Sequence, residues 1–335
     1  MKHALPLLLL AAGVAAPASA QSSRLRAWAD YSWGTFDKTY NDQTDSVLYR
    51  ANGVPAQATV QRAALGATFD VLHLQNARVF LGAEVAMASA MVEPDGGAVT
   101  LESGFKPQAV SILGGVGTHY AELRGGYLLD LGNELNVKAA NKVELPNSDG
   151  ADAAMVGLHV HAPVDILRLN AGVEYYHTFK NSETATVTTA SPGLAGTYTV
   201  TFDQDASDYL EVSGGVGFQV LRALEVGANV RYYYRTKGSL SNLVATGGAA
   251  PQQNAVLAAA LTAGLSPLPG RAPAELEGYA LGVIPYLVVK PASVPVALRV
   301  SASTTREYTP YGFSLAGRSF PVGRTGVTVA LSYGF

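Results

Sequence analysis

The stretch VTVALSYGF, Val327 to Phe335, alternates without a break. Val327, Val329, Leu331, Tyr333 and Phe335 share one parity, and Thr328, Ala330, Ser332 and Gly334 share the other. Successive side chains of a β-strand point to opposite faces, so this is a strand with one greasy side and one small or polar side. What the greasy side touches decides the fold.

The other end of the chain narrows the answer. MKHALPLLLLAAGVAAPASA carries Lys2, an apolar run around Leu7 to Val14, and an Ala18-Ser19-Ala20 cleavage pattern before Gln21. This reads as a secretory signal peptide over residues 1–20, with one domain over 21–335. Pro17 and the small-residue exit argue against a membrane anchor. Without Lys2, 22 basic residues stand against 26 acidic ones, a balance that gives nucleic acid no field to bind. The absence of cysteine excludes thiol chemistry and Cys-zinc sites. Thirty-five glycines and seventeen tyrosines with modest charge point to a β-rich chain.

No interior stretch is long and apolar enough for a membrane helix. Read with period two, the chain yields twelve segments, near 24–36, 58–71, 78–91, 107–119, 120–132, 151–162, 166–180, 207–221, 223–237, 274–289, 294–308 and 324–335. Each is about the length of a tilted strand that crosses a bilayer. In LRLNAGVEYYHTFK, Arg168, Asn170, Glu174, Tyr176 and Lys180 oppose Leu167, Leu169, Ala171, Val173, Tyr175 and Phe179. A charge costs far more against lipid than in a wet lumen, so a membrane barrel puts the first set inside. A soluble sandwich reverses the assignment.

Three patterns favour the barrel. Connections are long after odd segments and short after even ones, as in HAPVDILRL and FQVLRALEV. Lipid-parity aromatics gather at segment ends, with Trp33, Tyr175, Phe179 and Tyr232 toward the long loops and Phe69, Phe218, Tyr333 and Phe335 toward the short turns. An even strand count leaves both ends on the periplasmic side. The expected fold is therefore an all-β, antiparallel up-and-down transmembrane barrel of about 12 strands, with 14 as the alternative.

VALSYGF resembles the terminal strand of Gram-negative outer-membrane β-barrel proteins, porin-like ones among them. Leu331, Tyr333 and Phe335 carry the match. The resemblance implies Sec-dependent export to the outer membrane, contact with outer-membrane lipid, and recognition of that strand by the barrel assembly machinery. It assigns no specific family.

Some outer-membrane barrels are enzymes, but the lipid-parity candidates here, Ser89 and His177, lie on the third and seventh segments and are not neighbours. His159 and His161 share the lumen parity without a third ligand, so neither a metal nor another cofactor is expected. The inward charges are more informative: Arg26, Arg62, Arg78, Arg124, Arg168, Arg231 and Arg299 face Asp30, Asp70, Glu84, Glu122, Glu174, Glu211 and Glu225. A twelve-strand barrel leaves a lumen of roughly 10 Å after side chains. The expected function is a narrow channel for small polar solutes or ions, not an enzyme. Asp30, Glu84, Arg124, Glu174, Asn229, Arg231 and Arg299 are the expected pore-lining residues. A closed barrel acting through surface loops, as an adhesin or structural protein, is the alternative.

Four local features carry expectations of their own. Pro285 within a strand predicts a bulge. GGVG at 114–117 and again at 214–217 reads as glycine that lets strands bend. TATVTTASPGLAGTYTVTF predicts a polar two-stranded ribbon that continues the seventh and eighth strands. PQQNAVLAAALTAGLSPLP predicts a helix of about three turns, in which Gln252, Val256, Leu257 and Leu261 close over the barrel mouth near Tyr233 and Tyr279.

Overall fold

A computed structural model describes residues 24–36, 50–51, 54–74, 76–94, 100–102, 104–132, 136–139, 142–144, 151–189, 193–236, 240–265, 278–308 and 321–334. The signal segment and Phe335 lie outside these residues. Twelve strands form the wall: β1 (Leu25–Phe36), β2 (Val54–His73), β3 (Ala77–Pro94), β4 (Lys106–Thr118), β5 (Ala121–Asp130), β6 (Ala153–Val164), β7 (Leu167–Thr178), β8 (Asp208–Leu221), β9 (Leu224–Arg235), β10 (Gly278–Val289), β11 (Val296–Tyr308) and β12 (Pro321–Tyr333). Each pairs antiparallel with its neighbours, and β12 closes on β1 from Ala27↔Tyr333 to Phe36↔Arg324. The twelve segments read from alternation are these twelve strands, and the 14-strand alternative falls away.

Closure explains why so alternating a chain needs no helical cover: a barrel pairs every strand on both edges, and only its two faces need solvents. The faces sort as lipid and water would require. Leu65, Leu81, Val85, Ile112, Leu123, Val156, Leu158, Val173 and Val212 are exposed on the outside, and Asp70, Phe80 and Glu174 are buried on the inside. Trp33, Tyr175, Phe179 and Tyr232 stand exposed toward one rim, and Phe69 and Phe218 toward the other.

The short turns are locally specified. β6 and β7 meet at Asp165–Ile166, where Asp165 takes φ 53°, a conformation an aspartate tolerates better than most residues. Between β4 and β5, the Thr118 hydroxyl accepts the backbone N–H groups of Tyr120 (3.2 Å) and Ala121 (3.0 Å), which turns the chain in two residues.

Pro285 makes no bulge. Pairing between β10 and β11 runs Val283↔Thr304 and resumes at Tyr286↔Ser301 in the same register, with the two intervening pairs open. Proline lacks the N–H that the ladder needs, and the wall accommodates the loss by parting locally rather than by inserting a residue. The parting leaves a lipid-side hollow of about 310 Å³ lined by Trp33, Pro285, Ala302, Thr304 and Val327 among others.

Beyond the ring, strand Asn181–Thr189 pairs with Gly196–Gln204. The hairpin keeps one register from Leu167↔Phe218 in the wall to Thr189↔Gly196 at the tip. The expected ribbon is thus present, and it is larger than expected. Leu240–Thr246 adds a third strand, and Asn136–Val137 adds a short parallel one on the other edge. Helix α1 (Pro251–Leu265) packs on this outer sheet. Its Leu257 joins Ala185, Tyr198, Val200 and Ala245 in an apolar cluster in which Tyr198 is 0% exposed. The opposite face of the sheet carries Thr197, Thr199 and Thr201, all exposed. At its base, Asp203 accepts hydrogen bonds from Ser182 (2.6 Å) and Asn242 (2.8 Å), and these hold its carboxyl below the usual range.

The sequence places α1 against the barrel mouth, whereas its buried side chain, Leu257, lies on the outer sheet. Val256 and Gln252 are exposed, and the side chain of Leu261 lies outside the described residues. A helix apolar all round needs an apolar partner, and the Tyr198 face of the sheet supplies one. Leu257→Asp should therefore expose the outer sheet to protease while the barrel keeps its heat-resistant mobility on unboiled gels. Loss of that mobility would mean that the outer sheet is needed for the wall.

Candidate functional site: the lumen

The inward side chains are organised around glycine. An inward glycine on one strand is flanked, one strand to either side, by two side chains at the same level, and with no Cβ between them they can meet. Gly66 lies between Trp28 and Glu84, and Trp28 Nε1 donates to the Glu84 carboxylate at 2.9 Å. Gly117 lies between Arg78 and Glu122, which pair at 2.5 Å. Gly157 lies between Arg124 and Glu174, which also pair. Gly215 lies between Asn170 and Asn229, whose amides bond at 3.4 Å. The two GGVG copies belong to this pattern: Gly115 and Gly117 sit beneath Phe80 and Arg78, and Gly215 and Gly217 beneath Asn229 and Tyr286. Their inward glycines admit a neighbour's side chain.

Tyr286 is the largest example. Its ring lies flat across Gly227 and reaches Gly217, and its hydroxyl donates to Glu225 at 3.0 Å. Arg299 stacks on the ring at 4.1 Å from the centroid, a cation–π contact that keeps its guanidinium against the wall.

The expected pore-lining residues fall into separate clusters. Asp30 and Glu84 are bridged by Arg62, at 3.3 Å and 2.9 Å. Glu174 accepts from Arg124, from His159 Nε2 at 2.8 Å and from the Tyr176 hydroxyl at 2.6 Å. Arg231 is held through Nε by Glu211 at 3.0 Å, and its side chain is still 55% exposed. A fourth cluster joins Arg26, Arg78 and His73 to Asp70. The mid-barrel carboxylates do not form an open acidic ring, because each is taken up by an arginine. Opposite charges paired at these distances cancel much of each other's field in the lumen. Arg168 turns to Gln219 and to backbone carbonyls instead of to a carboxylate.

Ser89 on β3 and His177 on β7 stay apart, and His177 Nδ1 bonds Asp208 at 2.7 Å. Sequence reasoning missed Trp28, Tyr286 and Ser213, which share the lumen parity but carry no charge to draw attention. Their signal is the inward glycine beside each of them, legible only once the strand registers are known. Leu331 and Tyr333 sit in the closing seam, paired with Ala29 and Ala27 on one side and with Leu298 and Val296 on the other.

The fold of the wall has a solved counterpart. An outer-membrane channel from Pseudomonas putida F1 superposes with a TM-score of 0.56 over 96% of this chain and 99% of that one, at 8% identity. The chain has an outer-membrane β-barrel fold. Weaker likenesses are the transport unit of the autotransporter AIDA-I from Escherichia coli (TM-score 0.43, 8% identity, 99% and 97% of the two chains) and the TodX monoaromatic hydrocarbon channel (0.43, 9%, 93% and 90%). No family model and no curated relative matches the chain.

Proposed function

We propose that this barrel is a narrow channel for small polar solutes in the outer membrane of a Gram-negative bacterium, reached by Sec export. The observation that carries the reading is the 55% exposure of Arg231, an inward side chain midway along β9, together with 38% for Arg62 on β2. Side chains that water can reach at mid-height mean a lumen with room beside its ion pairs. The fold likeness to an outer-membrane channel supports it. The reading assigns the barrel no enzymatic role.

Purified protein in a planar bilayer should give discrete current steps in potassium chloride; an insulating bilayer with correctly folded protein would refute the channel. Because the carboxylates are paired and Arg231 projects, Arg231→Glu should move the reversal potential toward cations under a salt gradient. An unmoved potential would place the constriction elsewhere.

A second reading is a barrel that acts through its surface, and the outer sheet favours it. A Tyr198 core and a packed helix outside the ring are more than a passive connection requires.

A further inference from the structure

At Gly172 two polar side chains flank an inward glycine without bonding each other. Gly172 on β7 is flanked by His159 on β6 and Ser213 on β8, and Ser213 pairs in turn with Arg231 on β9. A Cβ on Gly172 would lie 2.7 Å from His159 Nδ1 and 3.0 Å from Ser213 Oγ, so the two polar atoms converge over it. At Gly66, Gly117, Gly157 and Gly215 the flanking pair closes a bond. Here it does not, and neither atom bonds any other group among the described residues.

The chemistry of the three ends is fixed by what holds their other sides. His159 Nε2 faces the Glu174 carboxylate, which can only accept, so Nε2 carries the hydrogen and Nδ1 of the neutral ring is an acceptor. Ser213 Oγ donates or accepts. Arg231 spends Nε on Glu211, its two terminal nitrogens make no bond among the described residues, and its side chain stays 55% exposed. One row toward the periplasm, Asn170 and Asn229 add amides. Glu122, directly opposite His159 on β5, and Glu174 and Glu211, one row away, are each paired with an arginine.

We propose that this mid-lumen patch is a binding site for a small hydroxylated carboxylate. The carboxylate pairs with the Arg231 fork, a neighbouring hydroxyl donates to His159 Nδ1, and Ser213 bonds either group. A carboxylate without hydroxyls leaves Nδ1 unmet, and a neutral polyol leaves the guanidinium unmet. The proposal rests on the channel reading for its biological sense, but binding itself does not.

Titration calorimetry on the purified protein in detergent, with sodium gluconate, hexanoate and sorbitol as probes, tests it. Gluconate should bind about tenfold more tightly than either of the others, as one added hydrogen bond would give. Ser213→Ala and Arg231→Gln should each remove most of that preference. Gly172→Ala, which pushes the imidazole aside without deleting a polar group, should do the same. Equal affinity for gluconate and hexanoate, or unchanged gluconate binding in both Ser213→Ala and Arg231→Gln, would overturn the site. Gluconate binding in a protein that passes no current would uphold the site and sink the channel. Current without gluconate binding would do the reverse.

Discussion

Gly227→Ala should destabilise the barrel by about 2–3 kcal/mol, and no change at Tyr286 should repair it. The added methyl would lie 2.4 Å from the Val216 carbonyl oxygen and 2.6 Å from a ring carbon of Tyr286, so the backbone of β8 itself must yield. Gly217→Ala is a different case. There the nearest atom is the Tyr286 hydroxyl, at 2.5 Å, followed by Glu225 Oε1 at 2.9 Å, both ends of side chains. Tyr286→Phe removes the first of these and should recover most of the stability lost in Gly217→Ala while recovering little in Gly227→Ala. Urea unfolding of folded protein in micelles, followed by tryptophan emission, measures all four variants. Equal rescue of both glycine variants would mean that the ring, rather than the strand backbone, sets the limit.

The second large effect is at Glu174. Its side chain is 7% exposed and accepts from Arg124, His159 and Tyr176, which tie β5, β6 and β7 together. Glu174→Gln keeps the shape and removes the charge, which leaves Arg124 without its counter-ion. Breaking one side of a buried pair costs about 3–5 kcal/mol, and a wet lumen trims that to about 2–3 kcal/mol. Arg124→Gln with Glu174→Gln should be more stable than Glu174→Gln alone, because the stranded cation is gone. The single variant should also pass anions more readily than the wild type, read from the reversal potential. Additive losses in the double variant would show that the pair is screened and contributes little.

Strand positions were legible because alternation is a property of each segment alone: Leu167, Leu169, Ala171 and Val173 declare their face without reference to any partner. The partners of the inward charges were not legible. Arg124 and Glu174 are separated by 50 residues and meet only because β5, β6 and β7 align at Gly157, a register that no local pattern encodes. The third strand of the outer sheet was hidden for a related reason. Asn242 takes φ 53°, and pairing with Gly196–Gln204 shifts between Thr201 and Asp203. The shift breaks the period of two in LSNLVAT, so the segment reads as loop. For α1, composition announced a helix with no polar face, but the apolar surface that buries it combines one face of a ribbon read as polar with the unread third strand. Pro285 was read correctly as a loss to the ladder and incorrectly in its remedy, since a strand held on its other edge by β9 can lose pairs on one side without changing register.

The hairpin that keeps one register from the wall to the outer tip also has a mechanical meaning. From Leu167 to Thr189 it spans roughly 75 Å at ~3.3 Å per residue, in one register on either side of a short gap in the ladder between His177↔Asp208 and Asn181↔Gln204. A pull on the tip along the strands is carried through both arms of the hairpin down to β7 and β8. There it loads the ladders to β6 and β9 lengthwise, so that many hydrogen bonds resist together rather than parting one after another. A surface attachment made at this tip would tug on the barrel as a whole.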